Sequence, residues 1–199
     1  MSSGGTGIPT PAIPPFNHSG VLPPYLGAHP AGPANSMSPY RATVDEFVAQ
    51  FATSTERRMI LQGFLQFRRD LRMKGAWGWQ WLDGSFLEDV ESQQGRAPND
   101  LDIVTFLVRP ASITTAAQMD FFVKSNLGLF ERAQTKANFH CDALYVDLAL
   151  GLYNVVSLSR YYFGLFSHQR VTAVWKGMLE IDFPLHDTDA AARAALGVI

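Results

Sequence analysis

The distribution of charge and proline divides this chain into two parts of different character. It has 16 basic and 18 acidic residues, none of which lies before Arg41, whereas nine of its twelve prolines lie within 1–40. Because proline donates no backbone hydrogen bond, this first segment cannot form a continuous helix or a central strand. We therefore predict an extended Pro/Gly-rich arm over 1–40 and one globular domain over 41–199. The arm is expected either to be a disordered tail or to dock on the domain through Phe16, Val21, Leu22 and Tyr25.

Composition limits the functions that such a chain can have. Its 199 residues, 47% of them hydrophobic, are enough for one domain with a core. A formal net charge of -2 favours neither a broadly basic nucleic-acid-binding protein nor a polybasic membrane-surface protein. No apolar stretch reaches the roughly 18 residues that cross a bilayer, and prolines interrupt every candidate for a secretory signal. The single cysteine, Cys141, precludes an intrachain disulfide and favours a reducing, cytoplasmic setting, with Cys141 as a small buried residue rather than a nucleophile.

The domain shows alternating helix and strand signals. A Thr-Val-Asp-Glu capping box at 43–46 predicts a short helix, and apolar residues at helical spacing predict a longer helix that ends near Gly75. Strands are predicted at 77–82, 100–108, 140–146 and 178–183, and further helices at 112–127, at 148–166 and from about 187. Helices and strands that alternate around a small sheet predict an α/β or α+β domain.

Two further patterns are assigned structural roles, each with a functional alternative. The tryptophans at 77, 79 and 81 share one face of a predicted strand, where they offer a large apolar area for a helix to cover. The alternative is a platform on which nucleic-acid bases stack, although little basic charge surrounds it. The pairs Arg57-Arg58 and Arg68-Arg69 indicate a solvated helix face, or else a surface that steers a nucleotide or nucleic acid.

Asp100 and Asp102 are the first candidate site residues. Positions i and i+2 of a strand point to the same side, so both carboxylates project together from an otherwise apolar segment. Side by side they repel each other, and a cation between them relieves that repulsion. Mg²⁺ prefers such oxygen ligands and typically takes one or two carboxylates together with substrate phosphates. The alternative is a pair of solvated carboxylates at the end of a strand.

Gly84-Ser85 is the second candidate, because it directly follows the predicted strand 77–82. A glycine there lets the backbone approach a ligand closely, and the start of a following helix offers N–H groups to phosphate oxygens. The alternative is an ordinary turn. The order of strand, Gly-Ser, a gap over 86–99 and Asp-Leu-Asp on a second strand favours a site for metal and phosphate.

The segments Trp81-Leu82-Asp83-Gly84-Ser85-Phe86 and Pro98-Asn99-Asp100-Leu101-Asp102-Ile103-Val104 resemble the signature of the polymerase-β-like nucleotidyltransferase superfamily. Looser motifs, including Ile13-Pro14-Pro15-Phe16 and Lys176-Gly177, resemble a bacterial, largely uncharacterised family of that superfamily. The resemblance implies a mixed sheet flanked by helices, with the active site at one edge. It also implies transfer of a nucleoside monophosphate from a nucleoside triphosphate to an acceptor, with release of pyrophosphate.

The resemblance assigns roles to individual residues. Gly84 and Ser85 would bind the phosphates, and Asp100 and Asp102 would bind one or two Mg²⁺ ions. A third catalytic and metal-binding carboxylate would be Asp142, with Asp147 as the alternative, because each lies at one end of the predicted strand 140–146.

Three other residues near these motifs have open assignments. Lys176 either contacts phosphates or covers apolar surface with its stem. Arg96 either replaces a basic residue that many superfamily members carry after the serine, or is an exposed loop arginine. His140 either tunes the neighbouring Asp142 or is a structural histidine.

Three functions are compatible with these motifs. The first is a Mg²⁺-dependent nucleotidyltransferase whose acceptor is a protein, an RNA or a small molecule. The second is a catalytically silent nucleotidyltransferase fold that works as a nucleotide-sensing or protein-binding module. The third, a sugar transferase that uses Asp-x-Asp, is disfavoured because such enzymes are usually larger. None of the three implies a membrane partner.

Overall fold

The computed structural model describes residues 13–30, 32–170 and 172–198, and a five-stranded sheet lies at its centre. The strands are β1 (Tyr40–Arg41), β2 (Trp77–Asp83), β3 (Leu101–Val108), β4 (Cys141–Asp147) and β5 (Leu179–Phe183). They lie in the order β1-β5-β2-β3-β4, with β1–β5 and β3–β4 parallel and the other neighbours antiparallel. The mixed sheet confirms the predicted fold class.

Helices flank this sheet. In the described part of the chain they are α1 (Val44–Phe51), α2 (Thr55–Met73), α3 (Val90–Gln94), α4 (Ala116–Lys124), α5 (Leu127–Phe130), α6 (Arg132–Phe139), α7 (Leu152–Phe166) and α8 (Ala190–Leu196). The predicted capping box begins α1: Glu46 donates its backbone N–H to Thr43 Oγ1, and the Glu46 carboxylate accepts the Thr43 N–H at 2.8 Å. Among the described helices, none has both the length and the apolar character that a bilayer crossing demands.

Both faces of the sheet are covered. On one face, apolar side chains of α1 and α2 pack with residues of β2, β3 and β5, such as Leu82, Ile103 and Ile181. On the other face, Val104 and Phe106 of β3 pack with Val146, Met178 and residues of α7. Because β3 is buried on both faces, nearly all of its residues are apolar.

Trp79 and Trp81 of β2 belong to this second face, whereas Trp77 is 41% exposed and lies outside the packed cluster. The Trp79 ring stacks on Phe106 at a centroid distance of 5.0 Å, and Trp81 meets Phe106 edge-on at 4.6 Å. The Phe163 ring of α7 lies 6.3 Å from Trp81. A helix therefore covers Trp81, as the structural interpretation predicts, and these two rings are engaged in internal packing.

Each arginine pair of α2 has one exposed and one buried member, so the predicted solvated face is confirmed for Arg58 and Arg69 and wrong for Arg57 and Arg68. The Arg68 guanidinium is fully buried and donates to Asp189 at 2.7 Å and to Gln80 at 2.7 Å. The buried guanidinium of Arg57 donates to the backbone carbonyls of Phe86 at 2.6 Å and Glu88 at 2.7 Å. The partners lie far along the chain, so the periodicity of α2 alone cannot indicate them.

Residues 13–25 of the N-terminal arm pack on the domain. Ile13, Val21 and Leu22 are buried, and the Phe16 ring contacts Phe51 edge-on at 6.0 Å. Tyr25 packs against Trp175. Of the two alternatives for the arm, docking is therefore the one that holds for residues 13–25. Residues 1–12 lie outside the described residues.

Candidate functional site

A cleft of about 690 Å³ opens at one edge of the sheet. The parallel strands β3 and β4 begin at this edge, and the antiparallel β2 ends there. In the resulting register Asp83 lies opposite Asp102, which in turn lies opposite Asp142. The topology thus brings side chains from three strands to one place. The acidic residues that line the cleft are Asp83, Glu88, Asp100, Asp102 and Asp142, and the basic ones are Arg96, Lys136, Arg170 and Lys176.

Gly84 lies in direct contact with the acidic cluster. Its φ is +83°, and a Cβ at this position would lie 1.9 Å from Asp102 Oδ2. Any side chain there would occupy the space of the Asp102 carboxylate, so the close approach requires glycine. The neighbouring Ser85 is half-buried, lines the cleft and begins the short 3₁₀ turn Ser85–Leu87. Structure and sequence motif therefore agree on the place of the Gly-Ser turn.

Asp100 and Asp102 both face the cleft, but their charge compensation differs. Lys136 Nζ lies 2.9 Å from Asp100 Oδ2. The basic group paired with Asp102 is Arg170, at 3.9 Å, on a side chain that is 82% exposed. Burial, together with the neighbouring charges of Asp100 and Asp142, raises the pKa of Asp102 to about 6. Asp102 therefore carries a charge that the described cations compensate only weakly.

Asp142 is the carboxylate of β4 that lies at the cleft. Its two oxygens accept from Arg132 Nε and Nη2 at 2.6 Å each, and Lys136 Nζ lies 2.9 Å from Oδ2. Burial alone would raise the pKa of Asp142, but the bonds from Arg132 and Lys136 outweigh it and lower the pKa. Asp147 lies at the opposite end of β4, where it pairs with Arg109 at 2.6 Å. Only Asp142 of these two alternatives is placed beside Asp102.

Lys176 is buried in the cleft floor, and its amine has partners within the chain. Nζ lies 2.7 Å from Glu88 Oε1, 3.1 Å from Asp83 Oδ1 and 3.2 Å from the Gly84 carbonyl. Burial by itself lowers the pKa of Lys176, but the carboxylates of Asp83 and Glu88 outweigh this and raise it. Lys176 thus links the segment before β5 to Asp83 at the end of β2 and to the Gly84 turn, and a contact with phosphate stays a prediction.

Asp83 is a buried acid to which the motif assigns no role. Burial raises its pKa to about 7, although Lys176 acts in the opposite direction. Its Oδ1 lies within ion-pair distance of Lys176 Nζ but outside hydrogen-bond geometry. Among the described residues, Oδ1 of Asp83 is the buried side-chain oxygen that has no hydrogen-bond partner.

Sequence patterns did not reveal the basic side chains that contact the acidic cluster. Arg132 and Lys136 lie one turn apart on α6, a helix that its weak apolar periodicity did not predict. Their spacing of four residues, directly before the strand of Asp142, is the signal that would have indicated them. Arg96 is exposed, lines the cleft and bonds to Gln94 at 2.8 Å. His140 ends α6 with φ +54°, which favours the structural interpretation.

The carboxylates of the cleft fit a Mg²⁺ ion that is bound by two side chains and substrate phosphates better than a Mg²⁺ ion that is bound by protein side chains alone. Among the residues that the structure describes, no group of three or more His, Cys, Asp or Glu side chains is arranged to hold a metal ion. Both oxygens of Asp142 contact basic groups, whereas Asp100 and Asp102 face the cleft with fewer such contacts. Mg²⁺ commonly binds one or two carboxylates and completes its shell with substrate phosphates and water. Asp100 and Asp102 fit that pattern.

Comparison with known proteins gives one match. A family of unknown function, DUF6932, matches residues 14–182. This range extends from the docked arm into β5 and contains the cleft-lining residues named above. No curated protein and no solved structure matches the chain.

Proposed function

Since the chain belongs to the family of unknown function DUF6932, we propose its activity from the cleft itself. The proposal is Mg²⁺-dependent transfer of a nucleoside monophosphate from a nucleoside triphosphate to an acceptor hydroxyl. The observation that carries it is the position of Asp102 against Gly84 and in register with Asp142 at one edge of the sheet. This geometry supports the proposal together with the resemblance of the Gly-Ser and Asp-x-Asp segments to polymerase-β-like nucleotidyltransferases.

The acidic residues would hold the metal. Asp100 and Asp102 are the proposed ligands of one or two Mg²⁺ ions, with Asp142 as the third carboxylate of the cluster. When bound, Mg²⁺ neutralises phosphate charge and makes the acceptor hydroxyl a better nucleophile. The poorly compensated charge on Asp102 supports this assignment, because a cation at the cleft would relieve it.

The remaining cleft residues would bind the triphosphate. Gly84 and Ser85 offer backbone that a phosphate can approach closely, and Lys176 holds that backbone in place through the Gly84 carbonyl. The exposed side chains of Arg96 and Arg170 add positive charge that attracts a polyanion to the cleft.

The proposed reaction forms one bond at the α-phosphorus and breaks another. The acceptor oxygen forms a bond to the α-phosphorus, and the bond from the α-phosphorus to the oxygen that bridges it to the β-phosphorus breaks. Pyrophosphate leaves with that electron pair, and the acceptor proton passes to solvent. In this step the side chains of the cleft would bind and orient the triphosphate. The acceptor hydroxyl would belong to a protein, an RNA or a small molecule.

One observation favours the second candidate, a catalytically silent fold. Arg132, Lys136 and Lys176 already pair with carboxylates of the cleft, so part of the charge that a metal would balance is balanced within the chain. A chain of this kind would bind a nucleotide or a protein partner without turnover.

A reducing, cytoplasmic setting belongs to the same proposal. Cys141 is a free, fully buried cysteine at the start of β4. Burial raises the pKa of its thiol well above the usual value, so the reactive thiolate is disfavoured. A buried, unreactive thiol is compatible with such a compartment.

Pyrophosphate release tests the activity. The full chain, incubated with Mg²⁺, each of the four nucleoside triphosphates and pooled acceptors, should release pyrophosphate. Asp100→Ala and Asp102→Ala should each lower the rate by at least about 100-fold, because each removes a proposed metal ligand. The control Asp120→Ala alters an exposed carboxylate on α4 and should keep the full rate. Activity that persists in both cleft variants would refute the assignment, and nucleotide binding without release would favour the silent fold.

A further inference from the structure

Two basic side chains of α6 contact the carboxylates that a second metal ion would use. Lys136 Nζ bridges Asp100 and Asp142 at 2.9 Å from each. The Arg132 guanidinium forms a bidentate pair with both oxygens of Asp142 at 2.6 Å. Bidentate pairs of this kind are the strongest and most directional that arginine forms with a carboxylate. A metal ion at Asp142 would therefore have to compete with two fixed cations.

The local structure explains why these two cations lie beside Asp142, with side chains that are 57% and 44% exposed. Arg132 and Lys136 are four residues apart, so they lie on the same side of α6. Glu131 caps the first turn by accepting the N–H groups of Ala133 and Gln134 at 3.1 and 2.9 Å. Asp142 follows α6 almost directly, and its side chain is only 2% exposed. Because little water reaches Asp142, its charge depends on the partners that the protein supplies.

The balance of charge then limits the number of metal ions. Asp100, Asp102 and Asp142 carry three negative charges, and Arg132 and Lys136 supply two positive ones at contact distance. One divalent ion near Asp102 offsets the remaining negative charge and helps to bind the phosphates. A second ion at Asp142 would stand next to two cations, and their repulsion would disfavour it.

We propose that this cleft holds a single Mg²⁺ ion, bound by Asp100 and Asp102 together with nucleotide phosphates, and that Lys136 and Arg132 take the place of a second ion at Asp142. The inference rests on the proposed function and narrows it from one or two ions to one. In this arrangement Lys136 and Arg132 are positioning residues, which fix the third carboxylate without a metal.

Counting bound Mn²⁺ tests this inference independently of turnover. The full chain is titrated with Mn²⁺ in the presence of the α,β-methylene analogues of ATP, GTP, CTP and UTP in turn, and free Mn²⁺ is measured by electron paramagnetic resonance. With the chain in excess over the analogue, so that the analogue is protein-bound, the wild type should hold one Mn²⁺ ion per bound nucleotide. The double variant Arg132→Met/Lys136→Met, which frees Asp142, should bind two.

Matched variants make each outcome decisive. Lys136→Arg keeps the charge, and Lys124→Met removes an exposed lysine that pairs with Asp120 on α4; both should stay at one ion. Should the double variant fail to fold, Lys136→Met alone should gain a weaker second ion. Two ions in the wild type, or a single ion in the folded Arg132→Met/Lys136→Met or Lys136→Met variant, would overturn the inference and leave the proposed function standing. A wild type that binds no ion with any analogue would instead contradict the proposed function.

Discussion

Gly84 shows how a single residue permits the cleft to form. Its backbone conformation, with φ +83° and ψ -168°, and its contact with Asp102 both depend on the missing side chain. Gly84→Ala should therefore lower the free energy of unfolding by at least about 2 kcal/mol, because the methyl group strains the backbone and displaces the carboxylate. Urea denaturation measures this loss, and Mn²⁺ binding should weaken in parallel.

Gly95 provides a control for this substitution. Its φ of +63° is also positive, but its ψ of 25° places it in the left-handed region, and no atom lies within 4 Å of the position of its Cβ. Gly95→Ala should cost about 1 kcal/mol, from backbone strain alone. Equal losses for the two variants would show that contact with Asp102 does not restrict position 84.

At the scale of residues, the sequence predicts those features of the cleft whose pattern lies within a few neighbouring positions. The spacing of Asp100 and Asp102 on one strand face, and a glycine directly after a strand, are visible in a short window. Their partners are not, because Arg170 meets Asp102, and Lys176 meets Glu88, across 68 and 88 positions. Only folding brings such pairs together.

At the scale of elements, a buried polar network joins α2 to the sheet and to the segment before α8. Arg68 donates to Asp189 and Gln80, and Gln80 donates to Thr105 Oγ1 on β3 at 3.1 Å. Burial alone would raise the pKa of Asp189, but Arg68 and Arg72 outweigh it and lower the pKa. The network therefore stabilises the fold only while Asp189 is ionised.

The substitution Asp189→Asn should test this network. At pH 7 it should lower the free energy of unfolding by about 3–5 kcal/mol, because it leaves the Arg68 guanidinium buried without a counter-charge. Since the folded pKa lies below the unfolded value of about 3.9, the contribution is complete above that value and is lost as the pH falls through the folded pKa. Urea denaturation should show a constant difference from wild type above about pH 5 and a shrinking one below about pH 4.

A control carboxylate separates the network from general effects of charge. Asp120 is exposed and pairs with Lys124 within one turn of α4. Asp120→Asn should change stability by less than about 0.5 kcal/mol at pH 7. A difference for Asp189→Asn that does not shrink in acid would contradict the proposed ionisation.

The same scale shows why some helices escape sequence analysis. The capping box and apolar stripe of α1 and α2 are strong local signals, and both helices lie where they were predicted. By contrast, α3 has five residues and α6 has mostly polar ones, with Thr135 and Phe139 as its buried positions. Contacts with the rest of the fold, rather than periodicity, stabilise such helices.

At the scale of the whole molecule, the arm connects to the segment that carries Lys176. The backbone carbonyl of the buried Leu22 accepts a hydrogen bond from the Gly177 N–H at 2.8 Å, and the Tyr40 hydroxyl donates to the Pro23 carbonyl at 2.8 Å. A Cβ on Gly177 would lie 2.4 Å from that same Pro23 oxygen. The proline content of the arm excludes regular structure but leaves its apolar side chains able to pack, so composition alone could not decide between tail and docked arm.

Leu22→Ala should measure what the docked arm contributes. Loss of a fully buried leucine should lower the free energy of unfolding by about 2–5 kcal/mol in urea denaturation. The control Leu152→Ala alters a side chain on α7 that is 81% exposed and should change stability by less than about 0.5 kcal/mol. Similar small effects for both variants would mean that the arm adds little to the fold.

The position of a radioactive label tests the central claim, transfer of a nucleoside monophosphate, most directly. With Mg²⁺, the wild-type chain and the triphosphate that supports pyrophosphate release, label at the α-phosphate should move to the acceptor, whereas label at the γ-phosphate should leave in pyrophosphate. Asp102→Ala should abolish both events, and Asp120→Ala should preserve both. Transfer of the γ-label to the acceptor, its release as inorganic phosphate, or movement of the α-label in Asp102→Ala would contradict the account.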